Sequence, residues 1–369
     1  IYNRKGFFTY TALLLEEHPG IDFCLIYWNI QQFKVLNNLF GLQTGDQILI
    51  HIADILHNEF SDQIATYGRL EADNFICCVP KQVIDAGDWK DLLDISFSIS
   101  GSTYHFYSCC GLYQIEDRTL PINKMVDMAR LAMDSIKNNY MKPFAWYDGS
   151  MLDTMIEEQR LVSDFRTAIM QKQFTVYFQP ICRADDGLVV SAEALVRWNR
   201  DGDVVMPNIF VPLLEKYELI TELDTYVLES ICKLQQNWEK KGYKIFPISV
   251  NESRLHLYNK NHINDLIDFV NKYGIKPNTI ELEMTETSVV NNVELAKEAE
   301  RNVHKLGFTV SMDDFGTGYS SFSMLKNINI DVLKMDKSFF DDIVESSRGK
   351  IIIEAIIEMS HKLGIEVVA

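Results

Sequence analysis

A chain of 369 residues is long enough for two or three domains, each able to bury a core of its own. Its composition, 47% hydrophobic and 24% charged, is that of a globular protein. A formal net charge of −17 argues against a nucleic-acid polymer as partner, because neutralising phosphates takes basic patches, but it leaves a small nucleotide held by metal ions possible. The seven cysteines have no zinc or disulfide-framework spacing, and Cys77-Cys78 and Cys109-Cys110 are adjacent pairs. Reduced, mostly buried thiols of a cytoplasmic protein are therefore expected. No apolar run approaches the ~18 residues of a membrane span. The chain begins at Ile1 rather than Met, so it is expected to be a fragment, and a cytoplasmic part of a membrane-anchored or multidomain sensor stays open.

In the N-terminal half, residues 23–30 (FCLIYWNI) predict a buried strand. Ile48, Leu49, Ile52, Ile55, Leu56 and Phe60 recur at helical spacing and predict a helix over 43–60. Residues 66–70 and 75–79 read as strands around a turn at 71–74, residues 95–100 and 107–113 as two more strands, and residues 122–138 as a helix. Strands mixed with helices in this way make one α/β domain over 1–147. A helix with a broad apolar stripe follows over 151–171, so residues 148–172 are expected to form a semi-rigid connector.

One pattern then recurs four times, at Gly242, Gly274, Gly307 and Gly364. Each glycine follows a helix ending in lysine and precedes an apolar strand, which suits a left-handed C-cap. Helices are predicted over 223–241, 263–273, 294–306 and 350–363, with strands such as 243–250 between them. Repeated helix–glycine–strand units make a parallel sheet with right-handed crossovers, either a (β/α)₈ barrel or an open doubly wound sheet. No Gly-x-Gly-x-x-Gly opens the first unit, which disfavours a dinucleotide site. Glu193, Asn251, Glu283, Asp313 and Lys334 fall at or near the C-terminal ends of successive strands. In a barrel such residues converge on the catalytic face, so a barrel is expected over 173–369. Between residues 309 and 340, Asp313 and Asp314 precede a Gly316-Thr317-Gly318 turn, and Lys334 and Asp336 close the next strand. Paired acids and a lysine beside a glycine turn suit a metal and phosphate site. Glu281 and Glu283 share one face of their strand, so periodicity does not choose between them.

The runs DDFGTGYSSF and LKMDKSFF in this stretch resemble the signature of EAL domains, the phosphodiesterases and receptors of bacterial cyclic di-GMP. The resemblance extends from about Leu161 to the end. It includes Tyr177-Phe178-Gln179-Pro180, the Glu193-Ala194-Leu195 motif with Arg197 and Trp198, Val250-Asn251, and Glu283-Met284-Thr285-Glu286. Glu252 departs from it, standing where the family usually has an apolar residue. The resemblance selects Glu283 and implies two Mg²⁺ or Mn²⁺ ions. The first would be bound by Glu193, Asn251, Glu283 and Asp313, and the second served by Asp314, with Lys334 near the attacking water. It further implies that Glu286 anchors the loop after Asp314, and that Gln179, Arg197 and Asp336 contact substrate or hold its neighbours. The implied reaction is two-metal hydrolysis of cyclic di-GMP to linear pGpG; the alternative is a non-catalytic cyclic di-GMP receptor. In the family a further Glu and an eighth strand follow the last strand seen here. The barrel is therefore expected to be incomplete at the C-terminus, and residues 1–369 by themselves are expected not to hydrolyse cyclic di-GMP.

The N-terminal half resembles a GGDEF domain, the fold of diguanylate cyclases, through Phe33-Lys34, Asn37, Gly41, Gly45-Asp46 and Arg69-Leu70. It departs from that family at Asn29, where a metal-binding Asp is usual, and at Glu71-Ala72-Asp73-Asn74-Phe75, where the motif has two glycines. The inhibitory Arg-x-x-Asp is replaced by Asp62 and Ala65. Losing a carboxylate at Asn29 leaves too little charge for two hard cations, and Glu71 adds charge beside a polyphosphate. A catalytically inactive cyclase fold is expected. Asn37 and Asp46 match positions near the guanine, so GTP binding and a purely dimerising or relaying role are alternatives for this half. A homodimer is expected.

Overall fold

The computed structural model describes residues 1–369 except 88, 90–92, 100, 101, 138, 140, 260, 287, 288, 290, 291, 317–320 and 341–346. Contacts divide it into two units, Ile1–Glu157 and Glu158–Ala369.

The run at 23–30 is a strand buried along its whole length, because both of its faces are covered. Seven strands make the N-terminal sheet: β1 (Tyr2–Asn3), β2 (Phe23–Ile30), β3 (Thr66–Glu71), β4 (Asn74–Pro80), β5 (Asp94–Ile99), β6 (Ser102–Gln114) and β7 (Phe144–Trp146). They pair in the order β1-β3-β4-β2-β6-β5, with β7 on β6. Side chains of β2 alternate between two cores. Ile26, Trp28 and Ile30 pack with Ile48, Ile52 and Leu56 of the helix Leu42–Phe60. Leu25 and Tyr27 pack with Phe7 of the helix Arg4–Glu17 and with Met125 and Ala129 of the helix Ile122–Asp134. The first of these helices carries no clear apolar period in sequence; Asn3 caps it by accepting the Gly6 N–H at 2.9 Å. The helix read as 43–60 is preceded by a short one, Phe33–Phe40, and the two are separated by Gly41 at φ 84°. Asn138 and Ser100, the predicted ends of a helix and a strand, lie outside the described residues.

The C-terminal sheet comprises β8 (Phe174–Cys182), β9 (Val189–Arg200), β10 (Asp203–Val205), β11 (Ile248–Asn251), β12 (Ile280–Thr285), β13 (Thr309–Phe315), β14 (Val332–Met335) and β15 (Glu366–Val368). Strands β9 and β11 to β15 run parallel in that order, and the sheet is an open half-barrel. All four repeated glycines are left-handed, with φ between 66° and 88°, so each ends its helix as the pattern required. Two departures matter. The sheet does not begin with a crossover, because β8 is antiparallel to β9, an ordinary hairpin outside the repeated unit. The strand read from 243 begins only at Ile248, directly after Pro247, which has no N–H to give a ladder.

The 22-residue helix Gly149–Met170 straddles the boundary between the units. Its second half is not a free spacer, since Leu161, Phe165 and Ala168 are buried in the C-terminal core. Phe165 and Phe210 pack edge-on against Phe174 at 5.8 Å between centroids, with Trp198 beside them.

Candidate active site

Register brings the predicted site residues onto neighbouring strands. Glu193 lies opposite Ser249, Asn251 opposite Glu283, and Thr285 opposite Asp313. Glu193 is nevertheless mid-strand rather than terminal, because the hairpin with β8 carries β9 on to Arg200. The Lys334 ammonium reaches in from β14, donating to Ser249 Oγ at 3.1 Å and Glu193 Oε2 at 3.3 Å and pairing with the Glu283 carboxylate. Asn251 Nδ2 lies 3.4 Å from Glu193 Oε1. Glu283 is 1% exposed, and neither carboxylate oxygen has a hydrogen bond among the described residues.

The two consecutive acids depend on a backbone irregularity. In a regular strand neighbouring side chains point to opposite faces, which would separate Asp313 from Asp314. Here the ladder slips between Met312 and Phe315, and Asp314 takes φ 55°, a conformation Asp tolerates better than most residues. Asp313 is half-buried, and burial above all, then the charges of Asp314, Glu193 and Asp336, push its carboxyl up to about 6. Burial and the charges of Asp336 and Glu193 also raise Asp314. Burial lowers the Lys334 ammonium, although Glu193 and Glu281 oppose that.

Glu286 is 1% exposed and accepts the Gly316 N–H at 3.0 Å, so it ties the loop after Asp314 to the end of β12. Gly316 has φ 102°, and a Cβ there would overlap the Phe339 ring. Thr317 and Gly318 lie outside the described residues. Asp336 accepts the Ser338 N–H at 2.9 Å and so caps the turn Lys337–Phe339, and the Ser338 side chain together with that N–H holds its carboxyl below the usual range. Gln179 is exposed opposite Glu193 on β8. The Arg197 guanidinium lies 5.9 Å from the Tyr177 ring centre and donates to the Val196 carbonyl. Sequence reading passed over Ser249, although it lies two residues before Asn251 and so shares its strand face; Glu281, left level with Glu283 by periodicity, also bears on the Lys334 ammonium. The acid at Glu252 is accommodated by a buried pair with His262 at 2.9 Å.

Carboxylate and amide oxygens are the donors a hard divalent cation takes, and the buried Glu283 carboxylate, without a hydrogen bond among the described residues, is the one that fits it best. Among the described residues, however, no three His, Cys, Asp or Glu side chains are close-set enough to hold one, because the Lys334 ammonium stands between Glu193 and Glu283.

In the N-terminal unit the corresponding corner is built differently. Asn29 is 6% exposed at the end of β2, and its Nδ2 donates to Asp73 Oδ2 at 3.0 Å and Asn74 Oδ1 at 2.8 Å. Ala72 takes φ 43°, so the turn keeps a glycine-like backbone without the glycine, and Arg69 Nε donates to its carbonyl at 2.7 Å. Glu71 and Asp46 are exposed. Asn37 Oδ1 is buried without a hydrogen-bond partner among the described residues, packed against Gly45, where a Cβ would overlap it.

Comparison with known families matches residues 162–369 to the EAL domain model. The chain belongs to the EAL family. Residues 1–142 match the model of the diguanylate cyclase GGDEF domain, so a GGDEF domain precedes the EAL domain, the arrangement of a cyclic di-GMP signalling family. The chain is 28% identical to the signaling protein YkoW of Bacillus subtilis, covering 100% of this chain and 47% of that one. It is 26% identical to the bifunctional diguanylate cyclase/cyclic di-GMP phosphodiesterase MucR of Pseudomonas aeruginosa, covering 94% and 51%. Thus it spans about half the length of these relatives. Over 57% of the chain it is 34% identical to the probable cyclic di-GMP phosphodiesterase PdeA of Escherichia coli, covering 28% of that protein. Among solved structures, the PaMucR phosphodiesterase in complex with c-di-GMP superposes with a TM-score of 0.54 at 29% identity, over 57% of this chain and 85% of that one. The S helix-GGDEF-EAL portion of Vibrio cholerae LapD shares the fold over 100% of this chain and 87% of that one, with a TM-score of 0.57 at 19% identity. No helix among the described residues is long and apolar enough to cross a membrane. All seven cysteines are free thiols, and six of them are buried.

Proposed function

We propose that the EAL domain hydrolyses cyclic di-GMP to linear pGpG, and that the GGDEF domain is inactive as a cyclase and serves as a regulatory or dimerising module. The observation that carries the first part is the meeting of Glu193, Asn251, Glu283 and Lys334 beside Asp313 and Asp314 at one end of the half-barrel. Glu193, Asn251, Glu283 and Asp313 would hold one divalent cation and Asp314 a second. Bound there, such cations lower the pKa of water and offset charge on the phosphodiester. Lys334 places its ammonium to orient the attacking water and to stabilise negative charge building on the phosphate oxygens. Glu286 keeps the loop after Asp314 in place through Gly316. Gln179, Arg197 and Asp336 would contact the substrate's bases and phosphates. For the second part, the carrying observation is Asn29, which gives both amide hydrogens to the motif turn where a cyclase needs an acid.

A second reading, a cyclic di-GMP receptor without turnover, is favoured by the Lys334 ammonium already neutralising Glu193 and Glu283. Incubating the whole protein with cyclic di-GMP and Mg²⁺ or Mn²⁺, then resolving nucleotides by chromatography, separates the two. Formation of pGpG is expected, whereas binding without conversion would favour the receptor. A parallel incubation with GTP is expected to yield no cyclic di-GMP.

A further inference from the structure

A cavity of about 350 Å³ opens on the N-terminal unit, and Asn29, Lys34, Asp73, Asn74, Arg130 and Lys137 are among its walls. Cyclase folds bring divalent cations to this corner, and the residues present do not fit one. The Asn29 amide directs its N–H donors at Asp73 Oδ2 and Asn74 Oδ1, the oxygens a cation would need. Turning the carboxamide over would set its oxygen against those oxygens. Of the three side chains only Asp73 carries a charge, too little for a hard divalent ion.

The same walls carry three cations, Lys34, Arg130 and Lys137, against two acids, Asp73 and Asp134, in a chain whose net charge is −17. Asp73 is engaged by Asn29, and Asp134 lies 3.6 Å from Arg130 in a half-exposed helical pair that solvent screens. We infer that this cavity is a metal-independent polyphosphate site, in which Lys34, Arg130 and Lys137 hold the phosphates of a nucleoside triphosphate and the Asn29 amide replaces the cation. The inference rests on reading the GGDEF domain as inactive, and it adds that inactivity leaves a binding site whose occupancy free Mg²⁺ does not control. Ammonium and guanidinium groups suffice for this, since charge-assisted hydrogen bonds to phosphate are strong without a bridging metal.

The test is isothermal titration of the whole protein with GTP, ATP and inorganic tripolyphosphate, each in EDTA and in excess Mg²⁺. Wild type is expected to bind GTP in EDTA at least as tightly as in Mg²⁺. Weaker binding of ATP would assign part of the affinity to the base, and equal binding of tripolyphosphate would assign all of it to the phosphates; both support the site. Lys34→Ala and Arg130→Ala should each weaken binding in EDTA about tenfold. Asn29→Asp sets a second carboxylate beside Asp73, and should weaken binding in EDTA about tenfold while Mg²⁺ restores it. A wild-type protein that binds GTP only with Mg²⁺, or binds none of the three anions, would overturn the inference. Cyclic di-GMP formed from GTP would instead refute the inactive-cyclase reading, and it is scored separately in the same samples.

Discussion

The two domains meet the same electrostatic problem at a strand end and resolve it differently. At the end of β2 one acid, Asp73, receives a neutral amide from Asn29. At one end of the half-barrel, burial above all, then the charges of Asp314, Glu193 and Asp336, push the Asp313 carboxyl up to about 6. A third arrangement lies elsewhere in the EAL domain, where His304 sits between Glu300 at 2.5 Å and Asp331 at 2.9 Å. An acid satisfied by a neutral donor has no call on a cation. Acids left together keep their mutual repulsion, and the Lys334 ammonium meets only Glu193 and Glu283. The contrast therefore sets a corner whose one acid is satisfied by an amide beside one whose acids repel each other.

The largest expected effect breaks the crowded side. In the whole protein, Glu193→Ala should lower cyclic di-GMP hydrolysis about a thousandfold, with the thermal transition nearly unmoved, since Glu193 meets Lys334 and Asn251 rather than the apolar core. Activity within tenfold of wild type would make these acids as inert as their N-terminal counterparts. Next comes Asp314→Asn, expected to reduce turnover by about 2.7–4 kcal/mol of activation free energy while cyclic di-GMP binding stays measurable. Equal losses in affinity and rate, read by titration beside steady-state kinetics, would deny it a role in the transition state.

Gly316→Ala tests the loop that holds Asp314 in place. The left-handed backbone and the Phe339 ring leave no room for a methyl, so stability should fall by about 1–3 kcal/mol in urea unfolding. His304→Gln probes the imidazolium solution. Burial disfavours the charged ring, but hydrogen bonds to Asp331 and Glu300 outweigh it and raise its pKa above 6.5. The raised pKa means that the stabilisation is complete below the unfolded value and is lost as pH rises through the folded one. Wild type should exceed the variant by about 1–2 kcal/mol near pH 6, and the gap should close toward pH 9. A gap that widened with pH would show that the ring is neutral in the native state. The smallest effect is expected of Ala72→Gly, which relieves the left-handed strain of the motif turn and should add about 0.5–1 kcal/mol.

Much of the fold was legible because it was written in local patterns. Four lysine-glycine helix ends predicted four left-handed caps, and all four are present. The solid apolar run at 23–30 predicted a strand covered on both faces. What escaped was set by partners rather than by period. The β8–β9 hairpin lies outside the repeated unit, and the helix Arg4–Glu17 shows its buried Phe7 and Leu15 only once the sheet is beside it.

By itself the sequence determined which chemistries were available: the acids and lysine at the strand ends of the EAL domain, and the amide at Asn29 in place of an acid. Tertiary structure alone decided which oxygen faces which donor. Lys334 meets Glu193 across 141 residues of chain, and Asn29 meets Asp73 across 44. Contacts of that span are set by strand register and by a bulge at Asp314, which follow from how whole sheets pack and leave no mark in the spacing of the residues they bring together.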